Sequence, residues 1–401
     1  MTRGRRKVVI VGLLAMMLVI HNAHRTGVVT VFDDLRLRFD TDYAGVGTLF
    51  SAYVFGYGLA QLAIGLSGSR FNARHMLLAG LTLSVLFSAL FAGTTSQGTA
   101  LVARFLLGAT GALLYTPAMN LGIVLFDRAE RGKVLGVLQA GAGVGSSGAM
   151  IAVPALVGVV GLTGAFLSLS ILTAMALVAA FVLVPRDTPA PAARAEIAPV
   201  NLSRRPDFWQ LIAISFVGML AIYGLLTWLP TYLTDQFGYS EVRAGTVASL
   251  ANLALLIAAP LVGAAADLPH GRNGVVVGGS ALAAVSFGLM VAGQSIAIVL
   301  VATVLTGLSL AATTAPLMLL AGERFGAAHT ARVVGLVAAA AQLGATLAGS
   351  IFGLVLTHGG GFREVWAACA AFALLRLVLL LDLLRRDRRR GAAAEGQPEV
   401  A

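Results

Sequence analysis

Two guanidiniums and two imidazoles stand where a chain this apolar has least reason to put them. The stretch 18–35, "LVIHNAHRTGVVTVFDDL", continues an apolar run from Val8, yet holds His21, Asn22, His24 and Arg25. His21, His24 and Arg25 are spaced i, i+3 and i+4, so on a helix they share one face. Arg104 is the one charged residue well inside the apolar run 98–125, and Gly108, Gly111 and Tyr115 extend its face. A guanidinium offers a planar fork of donors that matches a carboxylate through two parallel hydrogen bonds. An imidazole titrates near neutrality and, beside an arginine, tends to release its proton. The chemistry on offer is capture of an anion beside groups that can titrate.

The elements that position these groups are set by composition. The 401 residues are 58% hydrophobic and 11% charged, against about 25% charged in a soluble domain. Twelve apolar runs are long enough to cross a bilayer: 8–31, 44–66, 75–95, 98–125, 134–158, 163–184, 208–233, 245–266, 274–293, 295–321, 333–357 and 363–384. Short alternating segments, the mark of a membrane β-barrel, are absent. The first run lacks a small-residue cleavage site and is read as an uncleaved span. Cys369 is the one cysteine, so no intrachain disulfide forms.

The net charge of +10 is a matter of topology rather than of nucleic acid. With the N-terminus in the cytoplasm, 21 of the lysines and arginines in the loops and tails fall on that side and four, Arg36, Arg38, Arg243 and Arg363, on the other. That is the positive-inside rule, with both termini cytoplasmic. The tail "RRDRRR" reads as a headgroup anchor. Five of the twelve prolines fall in 185–207, a linker between two halves. The expected organisation is a six-helix bundle over 1–184, a cytoplasmic linker over 185–207, a second bundle over 208–384 and a cytoplasmic tail over 385–401.

Depth and charge sharpen the reading. Arg25 lies six residues before the outer end of span 1 and Arg104 six residues after the outer start of span 4. Both are then roughly 9 Å below the outer surface. No Asp or Glu occupies the interior of a span; Asp382 lies near the cytoplasmic end of span 12. A charge at a helix centre costs around 3 kcal/mol even on the gentle insertion scale. An anion from solution would supply the missing partner.

The halves repeat. Pro117 and Pro316 are 199 residues apart, as are Gly136 and Gly335, and "GLSGSRFNARH" from Gly65 returns as "GAAADLPHGR" from Gly263. Such an internal duplication marks two equivalent bundles. Scaffold residues recur, but Arg25 maps to Gly224 and Arg104 to Thr303.

Over essentially its whole length the chain resembles the major facilitator superfamily. The stretch from Gly65 through Arg70 to Arg74 resembles its loop motif Gly-x-x-x-Asp-Arg-x-Gly-Arg-Arg, with Ser69 at the acid. The second copy, from Gly263, keeps Asp267 and has Leu268 at the arginine. In that family the loop latches the cytoplasmic ends of helices. "HRTGVVTV", "SAYVFGYGLAQLAIG", "RFLLGATGALLYTPAMN" and "TWLPTYLTDQFGYS" resemble the anion:cation symporter branch, which includes sugar-acid and organic-anion permeases. The resemblance implies an all-α membrane protein of 12 transmembrane helices in two pseudo-symmetric six-helix bundles. Spans 1 and 4 would line one cavity, where Arg25 and Arg104 face a shared space. The branch commonly carries acids where this chain has His24 and Gly111, so histidine would replace carboxylate in coupling.

The expected function is secondary transport of a monocarboxylate or sugar acid across the inner or plasma membrane, by proton-coupled uptake. The substrate would be held by Arg25, Arg104, His24, His21, Tyr57 and Tyr115, in a monomer that needs no metal, cofactor or nucleic acid. A counter-anion could replace the proton. A drug or metabolite exporter would favour a cavity acid and a complete span 5 motif, where "GAGVGSSGAM" has Ser146 for proline. A sensor would need a signalling partner or a longer tail. Tyr223 and Asn252, isolated polar groups in apolar spans, read as helix–helix hydrogen bonds. No nucleophile–base or nucleotide motif points to an enzyme.

Overall fold

Lipid offers no hydrogen-bond partners, so every backbone N–H and C=O of a spanning segment must be satisfied within it. The chain answers with helices. The computed structural model describes residues 3–67, 72–184, 202–268, 271–293, 295–325 and 329–395. Helix α1 (Arg3–Thr26) runs through a 3-10 turn, Gly27–Val31, into the short α2 (Phe32–Phe39). Then follow α3 (Tyr43–Ser67), α4 (Ala73–Gly93), α5 (Gln97–Val124) and α6 (Arg128–Leu183). The second half holds α7 (Pro206–Phe237), α8 (Glu241–Ala266), α9 (Gly271–Ala292), α10 (Ile296–Thr313), α11 (Ala315–Arg324), α12 (Thr330–Thr357) and α13 (Phe362–Glu395). Among the described residues there is no strand.

At 56 residues, α6 is far longer than the roughly 20 that cross a bilayer. Gly161, at φ 73° and ψ 171°, breaks it in two, between the expected spans 5 and 6. The described residues hold eleven long apolar helices by length and composition, and this break makes twelve crossings. The repeat is imperfect at its prolines. Pro117 sits inside the continuous α5, whereas span 10 is divided at Thr314 into α10 and α11, with Pro316 opening the second piece. Helix ends are capped: Asn72 accepts from the Arg74 N–H at 2.9 Å, and Gly238 takes the left-handed conformation (φ 61°) that closes α7.

The buried side chains divide unevenly. Towards the outer face, one cluster draws on both bundles: Phe32, Val46, Phe50 and Phe91 from the first pack with Trp228, Phe287, Phe352 and Trp366 from the second. Towards the cytoplasm there are two clusters. One belongs to the first bundle (Leu14, Leu77, Leu121, Leu138) and one to the second (Leu211, Val276, Leu317, Leu380). The ion pairs described at that end also stay within a bundle: Lys7 with Glu130 at 2.7 Å, and Arg324 with Asp387. The bundles are joined outside and parted inside, an inward-facing arrangement.

Of the loop motif, Gly65 ends up in the last turns of α3, and Arg70 lies outside the described residues, as does the linker over 185–201. Arg74 is buried and donates to the Phe181 carbonyl at 2.9 Å and to the Val184 carbonyl, tying α4 to the cytoplasmic end of span 6. Gly263 and Asp267 close α8, where the Asp267 N–H donates to the Gly263 carbonyl at 3.1 Å.

Candidate functional site

Arg25 lies in the last turn of α1, on the side that meets the other bundle. Its Nη2 donates to the Tyr223 hydroxyl of α7 at 2.8 Å, and its Cζ stands 5.4 Å from that ring's centroid. Its Nε is buried and has no hydrogen-bond partner. A small cavity beside it is lined by Thr26, Phe50 and Met150 from the first bundle and by Tyr223 and Asn252 from the second. Asn252 is 8% exposed, and its Nδ2 points at the Met150 sulfur, 3.7 Å away.

Arg104 does not share that space. The family resemblance implies that both guanidiniums face one cavity; the structure lines the cavity beside Arg25 without Arg104. Arg104 is 1% exposed inside the first bundle, with Cζ 4.6 Å from the Tyr53 ring and 5.5 Å from that of Phe91. Its Nε donates to the Leu49 carbonyl at 3.2 Å and its Nη1 to the His24 carbonyl at 2.7 Å. Only Nη2 is left without a partner. It therefore staples α5 to α1 and α3. Among the described residues neither arginine is in an ion pair with a carboxylate.

The histidines part in the same way. His24 is buried, its Nε2 3.0 Å from the Thr173 hydroxyl of span 6. That hydroxyl donates to the Leu169 carbonyl at 2.8 Å, so Nε2 is the donor to it. The His24 side chain thus faces the interior of its bundle and not the cavity beside Arg25. His21 stacks on Tyr57 at 4.8 Å and meets the edge of Tyr115 at 6.3 Å. Its Nδ1 lies 2.9 Å from the Tyr53 hydroxyl, which also lies 2.9 Å from the His21 carbonyl. A hydroxyl has one proton to give, so donation to the carbonyl leaves Nδ1 as the donor. Tyr115 reaches Gln139 at 3.2 Å on an exposed surface. Tyr53, Tyr57, His21 and Tyr115 thus form an aromatic patch a turn away from Arg25. A Cβ at Gly111 would come within 2.2 Å of His21 Nδ1, so the imidazole fills the place a side chain there would take.

Sequence reasoning passed over Arg376. It is 1% exposed in α13 and donates to the Thr313 carbonyl at 3.5 Å, with Nε and Nη1 buried and unpartnered. The criterion that selected Arg104, a lone charge inside an apolar span, selects it as well.

Above Arg25 the outer seam is closed by bonds between bundles. Tyr43 donates to Asp235 at 2.7 Å and Thr234 to Asp33 at 3.2 Å. Ser51 donates to the Thr346 carbonyl and accepts from the Ser350 N–H at 3.1 Å. Four carboxylates from the two halves gather here, outside the apolar spans: Asp33, Asp34, Asp235 and Glu241. Burial and then Asp235 raise Asp33 above the usual carboxylate range. Burial, with Asp34 and Asp33 nearby, pushes Glu241 up to about 8.

The Major Facilitator Superfamily profile matches residues 14–254 and 232–400, nearly the whole chain. The chain belongs to the major facilitator superfamily. No curated protein matches the sequence closely. Among solved structures, it is similar to a bacterial homolog of the human lysosomal transporter Spinster in an inward-facing, occupied conformation. The TM-score is 0.74 at 15% identity, covering 94% of this chain and 97% of that one. The same homolog, inward-facing and unoccupied, gives 0.68 at 16% identity, covering 96% of each. At that identity the likeness is one of fold. As a major facilitator this multi-pass membrane protein is a transporter of a small molecule and not an enzyme. Members of this superfamily work by rocking two bundles about a central site, and the seam at Arg25 is where these bundles meet.

Proposed function

We propose that this transporter carries a small organic anion, a monocarboxylate or sugar acid, across the inner or plasma membrane by alternating access, with Arg25 as its charged anchor. The observation that carries this reading is the partner of Arg25. A guanidinium at the bundle seam, deep in the apolar part of the chain, is hydrogen-bonded to a neutral hydroxyl. A carboxylate would suit it far better. Arg104 supports the site indirectly by holding the backbone carbonyl of His24, the residue before Arg25. His21, Tyr57 and Tyr115 form the aromatic wall along which the organic part of the substrate would lie.

The driving arrangement is uptake with protons or exchange for a second anion. For protons, His21 is the better placed imidazole, since it belongs to that aromatic wall while His24 turns to Thr173 inside its bundle.

A thermal-shift screen of organic anions on purified protein tests the reading. A hit should stabilise the wild type and the Arg104→Gln variant but not Arg25→Ala. Loss of a hydrogen bond to a charged group costs about 1.5–3 kcal/mol, which is a drop in affinity of about tenfold or more. A hit that stabilises Arg25→Ala as well as wild type refutes the assignment.

A further inference from the structure

The bond between Arg25 and Tyr223 belongs at once to the site and to the gate. Its donor is the proposed anion anchor, its acceptor sits on the opposite bundle, and it lies 2.8 Å long beneath the closed outer seam. A hydroxyl oxygen is a neutral acceptor, and charge-assisted pairs are roughly twice as strong as neutral ones. Two further donors in the same place are poorly used. Arg25 Nε is buried without a partner, and the Asn252 amide, 8% exposed, has a thioether at 3.7 Å, a weak acceptor. Arg25, Tyr223 and Asn252 line one cavity, and they come from both bundles.

We infer that the Tyr223 hydroxyl occupies the seat of the substrate's carboxylate, so that loading the site releases a lock on the outer seam and the carrier runs as an anion exchanger. The inference rests on the proposed role of Arg25. A ligand shifts a conformational equilibrium only by its difference in affinity between the two states, and the displaced bond supplies that difference. In the shut state the anion must break Arg25–Tyr223; once the outer seam parts, Arg25 is free to receive it. The empty carrier keeps the bond and returns outward slowly, whereas the loaded carrier has already lost it. The Asn252 amide offers a donor for a second oxygen, so the preferred class is a small monocarboxylate with an oxygen on the adjacent carbon.

The test uses full-length protein in proteoliposomes with glycolate, the smallest acid of that class, and acetate, which lacks its hydroxyl. Uptake of labelled glycolate should be several-fold faster into glycolate-loaded vesicles than into empty ones. Tyr223→Phe keeps the ring and removes the acceptor, so it should take up glycolate at the fast rate whether or not the vesicles are loaded. A second arm needs no ligand. Spin labels at Leu37 and Arg243, both exposed and one on each bundle, report the width of the outer seam. Without any anion, Tyr223→Phe should shift the distance distribution as glycolate does in wild type. Acetate should bind more weakly than glycolate, and Asn252→Ala should abolish that difference.

The proposal falls if Tyr223→Phe retains its dependence on internal glycolate, leaves the ligand-free distance unchanged, or binds glycolate more weakly than wild type. The last result would make the hydroxyl a ligand and not a stand-in. These failures leave the function reading intact where Arg25→Ala still abolishes stabilisation by glycolate. If Arg25→Ala is stabilised equally, that reading falls and this one with it.

Discussion

At the scale of single residues, the site is a set of substitutions that make sense only together. Gly111 has no side chain, and His21 fills the space a side chain would take, 2.2 Å from an added Cβ. The imidazole is pinned by Tyr53 and stacked on Tyr57, so it has little room to yield. Gly111→Ala should therefore destabilise the first bundle by about 1–3 kcal/mol, the usual cost of overpacking. Adding His21→Ala should restore much of that loss. Melting curves of the two single variants and the double variant decide it, and purely additive losses would separate the two positions. Residue types at this scale were legible in the sequence; directions were not. Arg25 and Arg104 both read as buried charges, yet one reaches across the seam and the other turns inward to two carbonyls. The acceptor that turns Arg25 lies 198 residues away, beyond the reach of helical spacing.

At the scale of elements, the outer gate depends on close approach of α3 and α12. A Cβ at Gly47 would lie 2.2 Å from the Gly349 carbonyl oxygen and 2.9 Å from the Trp228 ring. Backbone cannot step aside as a flexible side chain can, so Gly47→Leu should prevent the seam from closing. The contacts at risk are with the second bundle, so packing within the first should survive. A cysteine at Ser51, buried at this seam, gives the readout against a background in which Cys369 is itself buried. Ser51→Cys should resist an impermeant maleimide added outside, and should react once Gly47→Leu is introduced. Unchanged protection would show that the helices separate by another route. The helices were legible because apolar length is a local property, whereas their ends, such as Thr26 for α1 and Phe237 for α7, were not. The division of span 10 at Thr314 was not, since Pro117 leaves the matching helix continuous.

At the scale of the molecule, the positive-inside asymmetry and the internal repeat were enough to read two bundles in one membrane. They could not say which side is open, because a rocking protein has the same sequence in both states. The arrangement of the cores answers that, one shared outside and two separate inside. The closed outer side also carries a charge problem. Asp33 and Asp34 from one bundle face Asp235 and Glu241 from the other. The nearby compensation is Arg36, 3.6 Å from Asp33 and 3.9 Å from the Tyr43 ring, and Arg363, which lines the same outer cavity as Asp235. In this shut seam burial, with Asp34 and Asp33 of the other bundle nearby, holds Glu241 up at about 8 against its ordinary 4.5, and an open state that hydrates Glu241 would hold this proton less tightly. By linkage, closure keeps its full advantage below pH 4.5 and loses it progressively as pH rises through 8. The distance between labels at Leu37 and Arg243 should therefore lengthen between about pH 4.5 and pH 8. Glu241→Gln should hold the short distance over most of that range, because its amide cannot ionise. A distance that shortens with rising pH, or a Glu241→Gln variant that titrates like wild type, would place the pH response elsewhere.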